Sequence, residues 1–214
     1  MKKTAFALVF TFIVAASLFV TGANAATGAQ FQDAYRHVQA ALAGDSSQVP
    51  AAVEKFSRLV QAEPGDPLLL ANLGAVTAMQ ARSTWFPWKK ISYAEDGMAM
   101  HDKALALLSP AADARLQDGV PVTLLVKFTA ASTFLAVPGF FGRGKEGGKL
   151  MREVMESPLF GQSPPGFRGV VWLRAASWAK DNGQPDQAKR YLNAVIELKA
   201  PQAGEARKLL ESIK

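Results

Sequence analysis

The sequence predicts an all-α protein made of antiparallel helix pairs, and three observations carry that expectation. Apolar residues recur at three- and four-residue spacing in segment after segment. No run alternates with period two between hairpin turns. The breaks between segments carry helix-start and helix-stop chemistry at short intervals, as paired neighbouring helices require.

The first segment is a leader rather than a domain element. Lys2 and Lys3 precede an uncharged apolar run, Thr4 to Val20, and Ala23-Asn24-Ala25 places small residues at both recognition positions. Residues 1–25 are therefore expected to be a signal peptide cleaved before Ala26, with the periplasm as destination. An uncleaved anchor is the alternative, because the run approaches the shortest spanning length. After cleavage no stable membrane span is expected. Of 214 residues, 189 then remain, in one repeat domain over 26–214 that buries roughly 70% of its unfolded surface. The formal charge of +6 falls to +4 without Lys2 and Lys3, and it is spread along the chain. Nucleic acid is not an expected partner of an exported chain of this balance. The absence of Cys excludes disulfides, thiolate metal sites and a lipidated cysteine.

Helices are expected over Phe31 to Leu42, Ala51 to Val60, Leu68 to Met79, Ala99 to Leu108, Leu124 to Leu135, Leu150 to Met155, Val170 to Trp178 and Ala188 to Leu198. Pro64-Gly65-Asp66-Pro67 closes one helix and opens the next, with Asp66 as N-cap and Pro67 at the first helical position. Asp181-Asn182-Gly183 marks a turn, and Pro185-Asp186 opens the following helix. Gln202 to Lys214 read as a last helix whose Glu205, Arg207, Lys208 and Glu211 face water.

Two stretches are similar to each other. Ala52, Phe56 and Leu59 precede Pro64, and Leu70, Leu73 and Gly74 follow Pro67. Farther on come Trp172, Ala175, Ala176 and Ala179, then Gly183, then Ala188 and Leu192. Both stretches resemble the tetratricopeptide repeat (TPR), whose paired helices approach through small residues while large ones fill the groove between pairs. The resemblance covers most of residues 31–200 and is best near 50–80 and 170–200. Two middle pairs are degenerate. Ala104-Leu105 and Pro110 fall about eleven residues later than a ~34-residue period would place them. In the last pair the closing proline falls one place late, at Pro201, and Ala179 stands where the family has tyrosine. The resemblance implies an α-α solenoid of about four TPR-like pairs with a C-terminal cap, and a surface that binds a protein or peptide partner.

Both irregular pairs carry an insertion after their first helix, at Ser83 to Lys90 and at Val137 to Lys145. Equivalent loops of stacked repeats leave on one edge, so the two are expected to be neighbours. Trp85, Phe86, Trp88, Phe140 and Phe141 offer an aromatic floor, and Lys89, Lys90, Arg143 and Lys145 a cationic rim. Such an edge suits an acidic peptide, or a small anionic ligand, lipid or glycan. The competing arrangement is a satellite core in which the loops bury each other under lysine and arginine stems.

No residues are assigned to catalysis, cofactor or metal. His37 and His101 are the only histidines and have no paired ligand. His101 and Asp102, like Glu95 and Asp96, are consecutive on a helix and point about 100° apart. His101 falls where the repeat family packs an aromatic, so it is expected to be packed. Ser163 lacks a nucleophile-elbow pattern and reads as linker. Trp172 and Trp178, six residues apart, are expected to pack one within the pair and the other against the neighbouring pair or the capping helix.

Overall fold

The structure, a computed structural model, describes residues 20–213. Residues 1–19, and with them most of the expected leader, lie outside that part. Four helix pairs follow one another: α1 (Val20–Leu42) with α2 (Val49–Ala62), α3 (Pro67–Ser83) with α4 (Pro87–Ala106), α6 (Val122–Phe134) with α7 (Gly144–Glu156), and α9 (Pro165–Asp181) with α10 (Pro185–Glu197). Helix α11 (Ala203–Glu211) packs on α10 as the cap. Two short helices, α5 (Pro110–Ala114) and α8 (Pro158–Gln162), lie in the connections.

The second helices share a register that the residue sizes explain. A small residue is followed four and seven places later by larger ones: Ala52, Phe56, Leu59; Gly97, His101, Ala104; Gly147, Met151, Val154; Ala188, Leu192, Val195. All twelve are buried. Positions i, i+4 and i+7 share one helix face, so the small side chain lets the first helix approach and the next two fill the space above it. A Cβ on Gly97 would lie 2.6 Å from the Gly74 carbonyl oxygen and 2.8 Å from the Ala78 Cβ. One on Gly147 would lie 2.9 Å from Leu135 Cγ. Ion pairs bridge two of the pairs, Lys55 to Asp33 at 2.5 Å and Lys127 to Glu153 at 2.7 Å.

The expected breaks are in place. The Asp66 side chain accepts from the backbone N–H of Leu68 and Leu69 at 2.8 and 3.1 Å, with Pro67 first in α3. Gly183 stands at φ +70°, and Gln184 N–H donates to Ala179 while Gly183 N–H donates to Lys180, a Schellman closure of α9. Trp178 packs against Gly148 of α7, and Trp172 lies edge-on to Phe160 of α8. Trp178 thus meets the neighbouring pair, and Trp172 packs against the α9–α10 core as well as that of the third pair.

Two features differ from the sequence reading. The first insertion is mostly helix rather than loop. In α2, α7 and α10 the small residue is fourth in the helix, whereas Gly97 is eleventh in α4, so α4 is two turns longer at its N-terminus. Pro87 supplies the start, and no breaker stands between it and Gly97. The second is a hairpin, β1 (Leu116–Gln117) with β2 (Val120–Pro121), closed by Asp118 and Gly119 at φ +51° and +77°. Two-residue strands are too short to show alternation, but Asp-Gly is the signature of such a turn. The hairpin ties the early pairs together: Gln32 Nε2 donates to Asp118 at 2.9 Å, and Arg115 pairs with the N-cap Asp66 at 2.5 Å.

Gly97→Ala is expected to destabilise the protein by about 1–3 kcal/mol, because overpacking against backbone outweighs the gain in helix propensity. Gly204→Ala, in α11 with nothing within 4 Å of the added carbon, is expected to stabilise by about 0.5–1 kcal/mol. Urea unfolding of the two variants distinguishes crowding from propensity, since propensity alone would stabilise both.

Candidate functional site

The first helices of all four pairs line one open groove of about 1120 Å³. Helix α1 contributes Tyr35, Val38 and Leu42; α3 contributes Asn72, Ala75, Ala78 and Met79; α6 contributes Phe128, Thr129 and Ser132; α9 contributes Val170 and Arg174. Small residues predominate where α3 and α6 form the floor, so the backbones there lie close to the groove.

Both insertions border this groove. Pro87, Lys90 and Ile91 come from the added turns of α4, and Pro138, Phe140 and Phe141 from the turn after α6. The inner face and the insertion edge are thus one continuous surface. The nine residues expected on the edge separate into three groups. Lys90, Phe140 and Phe141 line the groove. Trp85, Phe86, Trp88 and Lys89 lie outside its lining and are exposed at the tip of α4. Their rings are ordered among themselves, with Phe86 and Trp88 centroids 5.0 Å apart and Lys89 Nζ 5.3 Å from the Phe86 ring. Arg143 and Lys145 form the third group. Lys145 is exposed and away from the groove.

Arg143 faces inward. Its guanidinium lies 3.9 Å from the Phe134 ring centroid and pairs with Asp102 and, at 3.1 Å, with Glu146. It joins α4, α6 and α7 rather than rimming a site. This part of the insertion chemistry resembles the satellite-core arrangement, whereas the Trp85 to Lys90 segment does not.

The charge inside the groove is positive. Arg82, Lys90 and Arg174 line it against one carboxylate, Asp181. Arg174 Nη2 donates to the Ser132 carbonyl at 3.0 Å, at the C-terminal end of α6. Helix-end carbonyls lack intrahelical donors, so this bond caps α6 and fixes the fourth pair to the third. Burial first, and then the charge of Arg82, hold the Arg174 guanidinium below its ordinary pKa.

The histidines take structural places. His101 is fully buried, with Nε2 2.9 Å from Thr133 Oγ1 and its ring edge-on to Phe134 at 5.7 Å. It fills the slot that Phe56 fills in the first pair. Burial, with a smaller contribution from Arg143, pushes its pKa down to about 3. His37 Nδ1 lies 2.7 Å from Gln48 Oε1 on the connection to α2. Ser163 is buried and donates to the Leu159 carbonyl at 3.0 Å. Glu95 and Asp96 are exposed side by side on α4. Among the described residues no group of three or more His, Asp or Glu side chains converges as a metal site.

Comparison with known proteins supports the architecture. The chain is similar to the crystal structure of a thermophilic TPR protein of Thermus thermophilus, with a TM-score of 0.62 and 14% identity. The match covers 86% of this chain and 79% of that one. The fold is TPR-like. No family model matches the chain, and no curated protein matches it in sequence. At 14% identity the likeness speaks for the fold alone. The groove floor was missed in the sequence, although Ala75, Ala78 and Ala81 recur every third residue along one side of α3 and were a usable signal.

Neutral His101 makes stability sensitive to acid. The unfolded ring takes a proton near pH 6.5, while the folded one resists to about 3. The unfolded state therefore binds more protons as pH falls through that window, and the stability present above 6.5 is lost at up to about 1.4 kcal/mol per pH unit. His101→Gln is expected to flatten the pH dependence of the urea midpoint between pH 6.5 and 4 relative to wild type. A separate comparison tests the division of the insertion residues. Arg143→Ala is expected to cost about 1–3 kcal/mol, through the stranded Asp102 and the exposed Phe134 face. Trp88→Ala is expected to change the urea midpoint within about 0.5 kcal/mol.

Proposed function

We propose that this protein is an exported helical-repeat adaptor whose groove binds a segment of a protein partner in the cell envelope. The observation that carries this reading is the continuity of the groove. Four first helices and both insertions border one largely apolar channel, with three cations facing it against a single carboxylate. An apolar floor takes hydrophobic anchors from a peptide, and the positive walls favour acidic residues beside them. The TPR-like fold adds a general reason, because paired-helix solenoids expose extended surfaces of this kind. The envelope assignment rests on the leader-like Met1 to Ala25. Among the described residues no helix is long and apolar enough to cross a membrane.

A photo-crosslinker replacing Met79 is expected to capture one defined envelope protein in cells. The segment captured, made as a peptide, should bind the purified chain and lose roughly tenfold or more in affinity on Arg82→Glu with Lys90→Glu. Binding indifferent to the double reversal would sink the groove assignment. A small anionic amphiphile retained in native mass spectrometry, in place of a captured protein, would support a ligand-binding module instead. N-terminal sequencing of the exported form should begin at Ala26; an unprocessed product confined to the cytoplasm would overturn export.

A further inference from the structure

We infer that the projecting tip of α4, Trp85 to Ile91, is a docking surface for an anionic lipid bilayer. This inference does not depend on what occupies the groove. Trp85 is 93% exposed, Trp88 65% and Phe140, on the adjoining lip, 74%. Phe86 and Ile91 are also exposed. None of these five side chains belongs to a core cluster, so folding does not account for an aromatic group of this size. Scattered apolar residues on a surface are ordinary, but contiguous aromatic exposure marks an interaction site.

The shape of the tip favours a bilayer over a protein pocket. The two added turns carry the start of α4 about 10 Å beyond the register of the other second helices. What they carry is an exposed aromatic group, in which the Phe86 and Trp88 rings lie 5.0 Å apart at 39° and Lys89 Nζ lies 5.3 Å from the Phe86 ring. Indole rings suit the boundary between headgroups and acyl chains, since the ring is apolar and its N–H is polar. Lys89 and Lys90 follow at once, with stems long enough to reach lipid phosphates. The tip is locally basic: Arg82, Lys89 and Lys90 are the charged residues from Pro67 to Ala94, and the exposed carboxylates Glu95 and Asp96 follow farther along α4, behind the tip. Among the described residues neither lysine is held in an ion pair. Aromatic insertion together with basic attraction is the combination that holds a peripheral protein at an anionic surface. Phe140 and Ile91 lie at the mouth of the groove, so docking through the tip turns that mouth toward the lipid.

The test uses the form beginning at Ala26 that export is proposed to leave, so the apolar run Thr4 to Val20 does not itself partition into the vesicles. Partition is measured on vesicles of phosphatidylglycerol with phosphatidylcholine and on vesicles of phosphatidylcholine alone. Tryptophan quenching by brominated lipid reports insertion. Wild type is expected to prefer the anionic vesicles and to be quenched by them. Trp85→Ala with Trp88→Ala should lose about tenfold or more of the partition, read by vesicle sedimentation because the variant lacks the tip fluorophores. Lys89→Glu with Lys90→Glu should lose at least about fivefold per lysine. Arg207→Glu with Lys208→Glu, an equal charge change on α11, should leave partition unaltered, and circular dichroism should show all variants folded. The inference is overturned if wild type shows no anionic preference, or if the tryptophan variant still partitions as wild type does. It is equally overturned if the α11 control weakens binding as much as the tip reversal. Loss of a self-associated form in the tryptophan variant, without vesicle binding by wild type, would assign the tip to a second copy of the chain and overturn it too.

Discussion

The close approach of the two helices within each pair is the constraint from which the rest of the structure follows. It requires a residue with almost no side chain at one place in the second helix, filled by Ala52, Gly97, Gly147 and Ala188. Where it is glycine, the backbones come nearer than an alanine would allow, and Gly74 meets Gly97 across the α3–α4 crossing. The larger residues one and two turns on are buried because the partner helix is already close. This local rule repeats along the chain, so the pairs stack with their first helices on a common side, and the groove is the surface those four helices leave open. The groove is therefore a consequence of pair geometry rather than of any motif of its own.

His101 shows how much this rule dictates. The position takes a large residue four places after Gly97, and imidazole fills it only as the neutral ring. Thr133 provides a hydrogen-bond partner from α6, and Phe134 offers its face. Arg143 approaches the other face of the same cluster but is neutralised by Asp102 and Glu146, so its charge does not require the histidine to leave. A residue commonly associated with chemistry is here held by packing, and the neighbouring Asp102, an orienting carboxylate by residue type alone, is committed to Arg143.

Much of the repeat was legible because its signals are local. Asp66 and Pro67 specify a helix start by themselves, Gly183 specifies a helix end, and the i, i+4, i+7 pattern of the second helices survives substitution by any residue of suitable size. Even the delay of about eleven residues before Ala104 and Pro110 was readable against the ~34-residue period. Its form was not, because Trp85 to Tyr93 lacks the apolar stripe that marks a buried helix: those turns project from the fold and have nothing to bury against. The same limit explains the groove. Its floor is made of alanines and of side chains on two helices buried on nearly every side, where the spacing of Ala75, Ala78 and Ala81 is the one mark of the open face of α3. Arg143 and Lys145 were grouped by their proximity in sequence. Arg143 is the N-cap of α7 and Lys145 its second residue, and side chains two residues apart at a helix start leave in different directions.

The two degenerate pairs are where the chain departs from the repeat, and the departures share a direction. Lengthening α4 and widening the turn after α6 both add aromatic and basic residues along the groove edge without altering the registers of Gly97 and Gly147 behind them. Part of what they add packs inward, with Val137 and Phe141 against the core of the third pair, while Trp85 and Phe140 remain open to solvent. Insertions of purely structural use would be expected to close over apolar surface. Here Arg143 and Lys89 do that over Phe134 and Phe86, while Trp85 and Phe140 stay uncovered. The regular pairs supply a rigid frame, and the irregular ones place their uncommitted chemistry along a single border of it. On this geometry the aromatic and basic chemistry at Trp85 to Ile91 and Pro138 to Phe141 is not part of the repeat but is held in place by it.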